Sequence, residues 1–246
     1  MLPKSSQELI FLNFRTKGIP EEKIFNEVSP GLWKQLEKYG SVSSLPHTYS
    51  VDVGITIKGT KEEVEKNTRE VRSIIHQSAL LPHIWFEGLD TLEEVIIREA
   101  QQKNIRFAFA ESCTGGLCSN RITNFSGASS VFWGSVVSYD NSIKENILGV
   151  SPQTIITYGA VSIETAQEMA QGARTKLGVD IVISLTGIAG PGGGSPEKPV
   201  GTVCMGIAGP KGLAAFKYEF KGDREALKLR FSQVGLFHLL DCIRDC

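Results

Sequence analysis

The sequence predicts an α/β protein that begins with a small α+β unit, and three observations support this fold class. From Asp90 onward, short apolar segments alternate with helix-like segments, as they do in chains that form a mostly parallel sheet. Before that point, Tyr49–Lys58 alternates apolar with polar residues, as a half-buried strand does, and an amphipathic helix follows at Lys61–His76. Gly88 separates the two patterns, so we predict a domain boundary between residues 88 and 89.

The amino-terminal unit, residues 1–88, should contain further strands and a broken helix. Pro30-Gly31 interrupts the first helical pattern because both residues disfavour a helix interior. The predicted elements are a strand at Glu8–Thr16, a helix in two pieces at Glu21–Tyr39, a loop at Val42–His47 and a short strand at His83–Phe86.

The carboxyl-terminal unit, residues 89–246, should contain five strands. Its first helix has a capping-box start, formed by Thr91 with Glu94 or by Asp90 with Glu93. The predicted strands are Arg106–Ala110, Val131–Tyr139, Asp180–Leu185, Val200–Ala208 and Leu213–Phe220, and the closing helix is Asp223–Arg244.

Composition and charge argue against several classes of protein. The net charge is −1 over 246 residues, so we expect no basic surface for nucleic acid or for an anionic membrane. No apolar run approaches the ~20 residues that span a bilayer, and Met1–Lys4 lacks the apolar segment of a signal peptide. Five cysteines, an odd number without zinc-site spacing, indicate reduced thiols, so we expect a cytoplasmic protein without a bound metal.

The segment Glu111–Gly116 (ESCTGG) is the first candidate for chemistry. It follows the apolar strand Arg106–Ala110 and precedes a helix-like segment, so it lies at the carboxyl edge of the sheet, where open α/β sheets bind ligands. Two interpretations of Ser112 fit this position. It is either a helix cap or a nucleophile, and in the second case backbone N–H groups near Thr114 to Gly116, those of Gly115 and Gly116 above all, would hold the oxyanion.

A nucleophilic serine needs a base, and the sequence offers a lysine rather than a histidine. Three of the four histidines lie in the amino-terminal unit and the fourth on a helix face, which argues against a Ser-His-Asp triad. Tyr139 and Lys144 flank the end of the second strand, and a partly desolvated lysine accepts a proton. Taken alone, the sequence favours the alternative of a core tyrosine and a solvated lysine. Cys113 is a rival nucleophile, but with no histidine nearby in sequence we interpret it as a packed residue.

A second glycine-rich loop, Thr186–Ser195 (TGIAGPGGGS), follows another predicted strand. Its backbone N–H groups suit an anion such as a phosphate, although it lacks the Gly-Lys-Ser/Thr ending of a nucleoside-triphosphate loop. A plain connecting loop is the alternative. Arg224 and Lys228 on the closing helix would supply positive charge to a phosphate, or they lie on a solvated helix face.

Taken together, these residues resemble the carboxyl-terminal domain of the CinA family of nicotinamide-nucleotide amidases, and residues 1–88 resemble the KH-type linker domain of that family. Lys228 stands where we expect arginine more often in the family. The similarity extends from about Asp90 to the carboxyl terminus. The matching motifs, in the family's order, are Ala110–Gly116, Tyr139–Lys144, Thr186–Gly193 and Gly222–Arg224.

The resemblance implies a three-layer α/β/α amidase domain that hydrolyses nicotinamide mononucleotide (NMN) to nicotinate mononucleotide and ammonia, a reaction of pyridine nucleotide recycling. In that role Ser112 is the nucleophile, Lys144 the base and Tyr139 the proton relay, and no cofactor is needed. The residues expected to bind substrate are Glu111, Thr114, Gly115, Gly116, Thr186, Gly187, Gly190, Gly192 and Arg224.

The expected partner is the small-molecule substrate, and we expect a homo-oligomer that binds neither nucleic acid nor membrane. The linker-like unit lacks the G-x-x-G loop with which KH domains bind RNA. Two other functions stay open. One is a catalytically silent protein that binds a nucleotide for regulation, and the other is a nucleic-acid module built on the KH-like unit.

Overall fold

The computed structural model describes residues 7–246, and the chain forms two compact units that meet in sequence at Leu89 and Asp90. Each unit has its own sheet and helices. The elements of the first unit are the strands β1 (Glu8–Thr16), β2 (Ser41–His47), β3 (Ser50–Gly59) and β4 (Ile84–Glu87), and the helices α1 (Glu21–Lys23), α2 (Leu32–Leu36) and α3 (Lys61–Gln77).

The first unit is an antiparallel sheet in the order β2-β3-β1-β4, with α3 packed on β1 and β3. Helix α3 has the predicted amphipathic pattern, and Thr60 and Glu63 form a capping box at its start. Its buried face joins alternate residues of the strands in one apolar core. The helix contributes Val64, Val71 and Ile75, and β3 contributes Val51, Val53, Ile55 and Ile57.

One sequence prediction for this unit is wrong. Val42–His47 is not a loop, because it lies in β2 and pairs with β3 throughout its length. Serines and a proline hide the strand pattern, and Pro46 is tolerated because β2 is an edge strand. The segment Glu21–Tyr39 is helical in two pieces, as predicted: α1 continues into a π-helical turn at Ile24–Val28, and α2 follows the break at Pro30-Gly31.

The second unit is a five-stranded sheet in the order β6-β5-β7-β8-β9, and its first three strands are parallel. Its strands are β5 (Phe107–Glu111), β6 (Phe132–Val137), β7 (Ile181–Gly187), β8 (Thr202–Gly209) and β9 (Gly212–Glu219). Its helices are α4 (Leu92–Lys103), α5 (Leu117–Thr123), α6 (Asn141–Asn146), α7 (Pro152–Tyr158), α8 (Ile163–Leu177) and α9 (Arg224–Arg244).

Helices cover both faces of this sheet, so the second unit has three layers, α/β/α. Helices α4, α5 and α9 pack together on one face, and α8 packs on the other. Strands β5 and β7 are buried along almost their whole length, which explains why their sequences are nearly continuous apolar runs. The capping box of α4 is formed by Thr91 and Glu94, whereas Asp90 pairs with Arg98.

The carboxyl ends of the three parallel strands meet at one edge of the sheet. Glu111, the last residue of β5, lies opposite Val137 of β6 and Leu185 of β7. Just beyond this level, the N–H of Ser112 donates to the carbonyl of Leu185 at 2.9 Å, and the N–H of Ser138 donates to that of Glu111 at 2.8 Å. These backbone bonds fix the position of Ser112 relative to both neighbouring strand ends.

Three general features of residues 7–246 bear on function. No helix in this range is long and apolar enough to cross a membrane. Each of the five cysteines has a free thiol. In the same range no three side chains of the His, Cys, Asp and Glu types converge as metal ligands would. The signal-peptide expectation concerns residues 1–4, which lie outside the described residues.

Candidate active site

Glu111 fixes the turn that carries the predicted nucleophile. Its carboxylate is fully buried and accepts the N–H groups of Gly116 and Cys118 at 3.0 Å. It also accepts the N–H and the hydroxyl of Ser119, at 3.0 and 2.6 Å. The start of a helix leaves such N–H groups unpaired and favours a negative charge beside them. Glu111 therefore holds the start of α5, in place of the substrate contact predicted for it.

The two glycines after Thr114 shape the same turn. Gly115 and Gly116 have φ angles of 63° and 96°, in the left-handed region that favours glycine. The N–H of Gly115 donates to the carbonyl of Ser112 at 3.1 Å, and that of Gly116 is bound by Glu111. The prediction that these two N–H groups hold an oxyanion is therefore wrong, because both are already bonded.

Lys144 reaches Ser112 from α6, the helix that follows β6 and begins behind the capping carboxylate of Asp140. Its Nζ lies 3.2 Å from Ser112 Oγ, 2.8 Å from the carbonyl oxygen of Ser138 and 3.2 Å from that of Tyr139. Lys144 is 1% exposed and Ser112 8% exposed. The structure thus brings the predicted nucleophile and the predicted base into hydrogen-bond contact.

The surroundings of Lys144 favour the neutral amine. Burial lowers its pKa because removal from water disfavours the charged ammonium, while Cys113 and Asp140 act in the opposite direction. A neutral amine has two N–H groups and one lone pair. In the charged form Lys144 donates to all three oxygens, whereas in the neutral form the two carbonyl oxygens accept its N–H groups and the lone pair is left for the hydroxyl of Ser112. This arrangement can take a proton from Ser112.

Cys113 is the rival nucleophile, and its environment does not favour the thiolate. Burial raises the pKa of the Cys113 thiol to about 12, and the carboxylate of Glu111 adds to the increase while Lys144 opposes it. A cysteine nucleophile needs the thiolate, which is scarce at neutral pH when the pKa is that high. The thiol is 5% exposed and lies against Gly187. It is a packed residue, as the sequence indicated.

Ser112 and Lys144 face a cavity of about 200 Å³ at the edge of the sheet. Six of the twelve predicted site residues line this cavity: Ser112, Tyr139, Lys144, Thr186, Gly187 and Arg224. The other lining residues are Cys113, Asn141, Ala160, Val161 and Ala189. The predicted residues outside the lining are Glu111, Thr114, Gly115, Gly116, Gly190 and Gly192.

Thr186 and Gly187 form one wall of the cavity at the end of β7. The hydroxyl of Thr186 donates to the carbonyl of Ala160 at 2.7 Å and so ties the segment before α8 to the strand. At Gly187 an added Cβ would lie 2.7 Å from the carbonyl oxygen of Thr202. Only glycine fits there without a shift of the neighbouring strand.

Arg224, the first residue of α9, bridges two of the segments that surround the cavity. Its Nη1 donates to the carbonyl of Gly190 at 2.5 Å, and its Nη2 donates to the hydroxyl of Tyr139 at 3.0 Å. The contact between Lys144 and Tyr139 involves only the backbone carbonyl of Tyr139 and not its hydroxyl. The proton relay predicted for the Tyr139 hydroxyl is therefore not formed in this geometry.

Three further residues predicted to bind substrate, Thr114, Gly190 and Gly192, do not line the cavity. Thr114 is fully buried, and its hydroxyl has no hydrogen-bond partner within residues 7–246. Gly190 is buried and offers its carbonyl to Arg224, whereas Gly192 is exposed farther along the loop.

Four lining residues were missed by the sequence analysis. Asn141 had a recoverable signal, because it precedes Lys144 by three residues and so lies on the same helix face. Ala160, Val161 and Ala189 carry no chemical group that marks a site, and only the fold brings them to the cavity.

Comparison with known proteins identifies the family of this chain. Residues 89–243 match the family model described as the CinA C-terminal domain. The chain belongs to the CinA family. A CinA-like protein of Chlorobaculum tepidum is 42% identical over 212 residues, which cover 83% of this chain and 50% of that relative. A putative competence-damage inducible protein of Caldanaerobacter subterraneus subsp. tengcongensis is 39% identical over 227 residues, covering 92% and 53%.

Solved structures of the CinA family match the second unit. A competence/damage inducible protein CihA from Agrobacterium tumefaciens is 34% identical with a TM-score of 0.60, covering 63% of this chain and 98% of its own. A CinA superfamily protein from Escherichia coli is 32% identical with a TM-score of 0.55, covering 62% and 94%. The chain spans about half the length of the curated relatives it matches. The CinA fold is thus established for this chain.

Proposed function

We propose that this chain hydrolyses the carboxamide of NMN to nicotinate mononucleotide and ammonia, as an amidase of pyridine nucleotide recycling. The observation that carries the proposal is the buried contact of 3.2 Å between Lys144 Nζ and Ser112 Oγ, with two backbone carbonyls holding the amine. A nucleophile in contact with a base is the arrangement that covalent acyl transfer from an amide uses. The choice of NMN rests on the resemblance to the CinA amidases.

In the first half of the reaction, Ser112 forms an ester with the substrate. Lys144 takes the hydroxyl proton as Ser112 Oγ attacks the carboxamide carbon, and the electron pair of the C=O bond moves onto oxygen. As the tetrahedral intermediate collapses, the C–N bond breaks, and Lys144 returns the proton to the leaving nitrogen, which departs as ammonia. Lys144 is then neutral again.

In the second half, water replaces ammonia. Lys144 takes a proton from water, the oxygen attacks the ester carbon, and the bond to Ser112 Oγ breaks. The proton returns to Ser112, and nicotinate mononucleotide leaves. The same amine thus serves as base and acid in both halves, as general acid–base catalysis requires.

The oxyanion needs donors other than the N–H groups of Gly115 and Gly116. Within residues 7–246 the N–H groups of Cys113 and Thr114 donate to no oxygen acceptor. The only acceptor near them is the sulfur of Cys113. The residue that follows a nucleophile at a strand-to-helix turn supplies its N–H to the oxyanion in other hydrolases. We assign this role to the N–H of Cys113.

Arg224 is the group that we assign to the substrate phosphate. Its guanidinium already lies at the cavity, and phosphate oxygens would replace the carbonyl of Gly190 and the hydroxyl of Tyr139 as acceptors. Guanidinium bonds to phosphate are stronger than bonds to neutral oxygens. Before substrate binds, the hydroxyl of Tyr139 positions Arg224, and this hydroxyl has no part in proton transfer.

The test is ammonia release from NMN by the purified chain, with nicotinate mononucleotide as the second product and with a chelator in a parallel sample. Ser112→Ala should abolish the reaction, and Cys113→Ala should retain most of it. Ser130→Ala changes an exposed serine away from the cavity and serves as the matched control. An inactive Cys113→Ala beside an active Ser112→Ala would reverse the assignment of the nucleophile. Binding of NMN without turnover would instead support a silent nucleotide-binding protein.

A further inference from the structure

The hydrogen bonds of the cavity leave one polar side chain unused. Lys144 bonds to Ser112, and Tyr139 is bound by Arg224. Thr186 donates to a backbone carbonyl. Among the lining side chains that contain oxygen or nitrogen, Asn141 alone has no hydrogen-bond partner within the described chain, residues 7–246. A carboxamide that faces a reaction cavity and is not engaged elsewhere is available to a ligand.

Helix geometry places Asn141, an exposed residue that lines the cavity, on the same face of α6 as Lys144. It is the first residue of α6, and Lys144 is three residues further along. Residues at this spacing are neighbours on one face of a helix, and the Lys144 side chain defines that face by reaching Ser112. Asp140 caps the helix at the preceding position, so the backbone of Asn141 is fixed before any substrate arrives.

The proposed reaction supplies the chemistry that this amide would meet. The oxygen of the substrate carboxamide becomes negatively charged as Ser112 attacks. One hydrogen bond, from the N–H of Cys113, stabilises this oxyanion only in part. Oxyanion sites combine backbone N–H groups with side-chain amides such as that of asparagine. Two other backbone donors of the turn are already bonded, since Gly115 donates to Ser112 and Gly116 to Glu111, and only the N–H of Thr114 is left beside that of Cys113.

We propose that Asn141 is a catalytic residue whose Nδ2 donates a hydrogen bond to the oxyanion formed from the substrate carbonyl. The proposal rests on the amidase function proposed above. The Nδ2–H bond forms as charge moves onto oxygen and weakens when the C=O bond is restored, so it acts on the transition state more than on the bound substrate. No proton is transferred from Asn141.

The experiment measures two reactions on three variants. Asn141→Ala removes the amide, and Asn141→Asp keeps the size of the side chain but has no N–H to donate. Asn146→Ala is the matched control, since Asn146 is an exposed asparagine at the other end of the same helix. The first reaction is ammonia release from NMN. The second is release of 4-nitrophenolate from 4-nitrophenyl acetate, an activated ester that acylates serine without occupying a nucleotide site.

We expect Asn141→Ala and Asn141→Asp to lower kcat for NMN by about 10²–10³-fold, the loss seen when one oxyanion donor is removed, with KM nearly unchanged. The part of ester cleavage that Ser112→Ala abolishes should also fall, whereas Asn146→Ala should match the unmodified chain in both reactions. Thermal unfolding should show the same midpoint for Asn141→Ala and Asn146→Ala.

Three results would overturn the assignment. They are an unchanged kcat in Asn141→Ala, a raised KM with unchanged kcat, and ester cleavage that does not depend on Ser112. Failure of the amidase function has a different signature. If the unmodified chain releases no ammonia from NMN but cleaves the ester through Ser112, the ester reaction alone decides the role of Asn141.

Discussion

Exchange of Lys144 for methionine tests the proposed base directly, since it removes one amine and keeps a long unbranched side chain. A general acid–base group contributes about 10²–10⁴-fold to a rate, so kcat for ammonia release should fall at least about 10²-fold. That loss corresponds to about 3 kcal/mol of transition-state stabilisation. Lys176→Met, at an exposed lysine in the last turn of α8, should leave kcat unchanged.

The pH profile gives the same test in the unmodified chain. The active form of Lys144 is the neutral amine, so kcat/KM should rise with pH through the pKa of Lys144 and level off above it. Burial lowers this pKa, which places the rise below the value of about 10.4 for a lysine in water. Log kcat/KM should gain about one unit per pH unit over the rise, because a single proton is lost.

The reasoning fails if the Lys144→Met enzyme still releases ammonia with the same rise toward alkaline pH. It also fails if the rise in the unmodified chain is centred at or above the pKa of a free lysine. In the first case another group accepts the proton of Ser112. In the second, the site does not favour the neutral amine, and the contact between Ser112 and Lys144 is that of a charged lysine held by three oxygen acceptors.

Stability should respond to pH through the same residue. Below its folded-state pKa, Lys144 is charged while buried, which penalises the folded chain. As pH rises from that pKa toward about 10.4, the unfolded chain holds more protons than the folded one, so the free energy of unfolding increases relative to Lys144→Met. The slope of this difference is at most about 1.4 kcal/mol per pH unit. Urea unfolding of both chains across the alkaline range measures it.

Two further substitutions test the groups around the pair. Arg224→Met should raise KM for NMN about tenfold or more, because a hydrogen bond to a charged group contributes about 1.5–3 kcal/mol, and should leave nicotinamide riboside, which has no phosphate, unaffected. Equal effects on both substrates would argue against a phosphate contact. Glu111→Gln replaces one acceptor oxygen by an N–H2 group facing helix-start donors. It should lower the free energy of unfolding in urea by about 3 kcal/mol. Unchanged stability would contradict the role of Glu111.

Helices and strands could be predicted where the apolar residues of a segment recur with one clear spacing. Helix α3 and strand β5 were found because their apolar residues recur with a single spacing or fill a whole segment. Strand β2 was missed because its side chains are mostly small or polar. Its place in the sheet is set by hydrogen bonds to β3, along the whole register from Ser41 to His47. Backbone pairing of this kind leaves little trace in side-chain composition.

The sequence could predict which residues the candidate site brings together, but not the hydrogen bonds that they form. Residues at the ends of parallel strands must share one sheet edge, so Ser112, Lys144 and Thr186 could be expected near one another. The sequence could not show that Glu111 takes the N–H of Gly116. It also could not show that Arg224 donates a hydrogen bond to the hydroxyl of Tyr139. Both depend on side-chain directions that only the packed turn determines.

The distribution of carboxylates explains why Lys144 can remain neutral next to an acidic motif. A carboxylate in contact with Nζ would stabilise the ammonium and withhold the lone pair from Ser112. Within residues 7–246 no carboxylate lies within ion-pair distance of Lys144, since Glu111 is saturated by four donors at the start of α5. Asp140 is engaged with the N–H and the hydroxyl of Ser142. Both acids thus accept hydrogen bonds at helix starts, and although the charge of Asp140 still acts on the amine, the buried lysine has only neutral oxygens as direct partners.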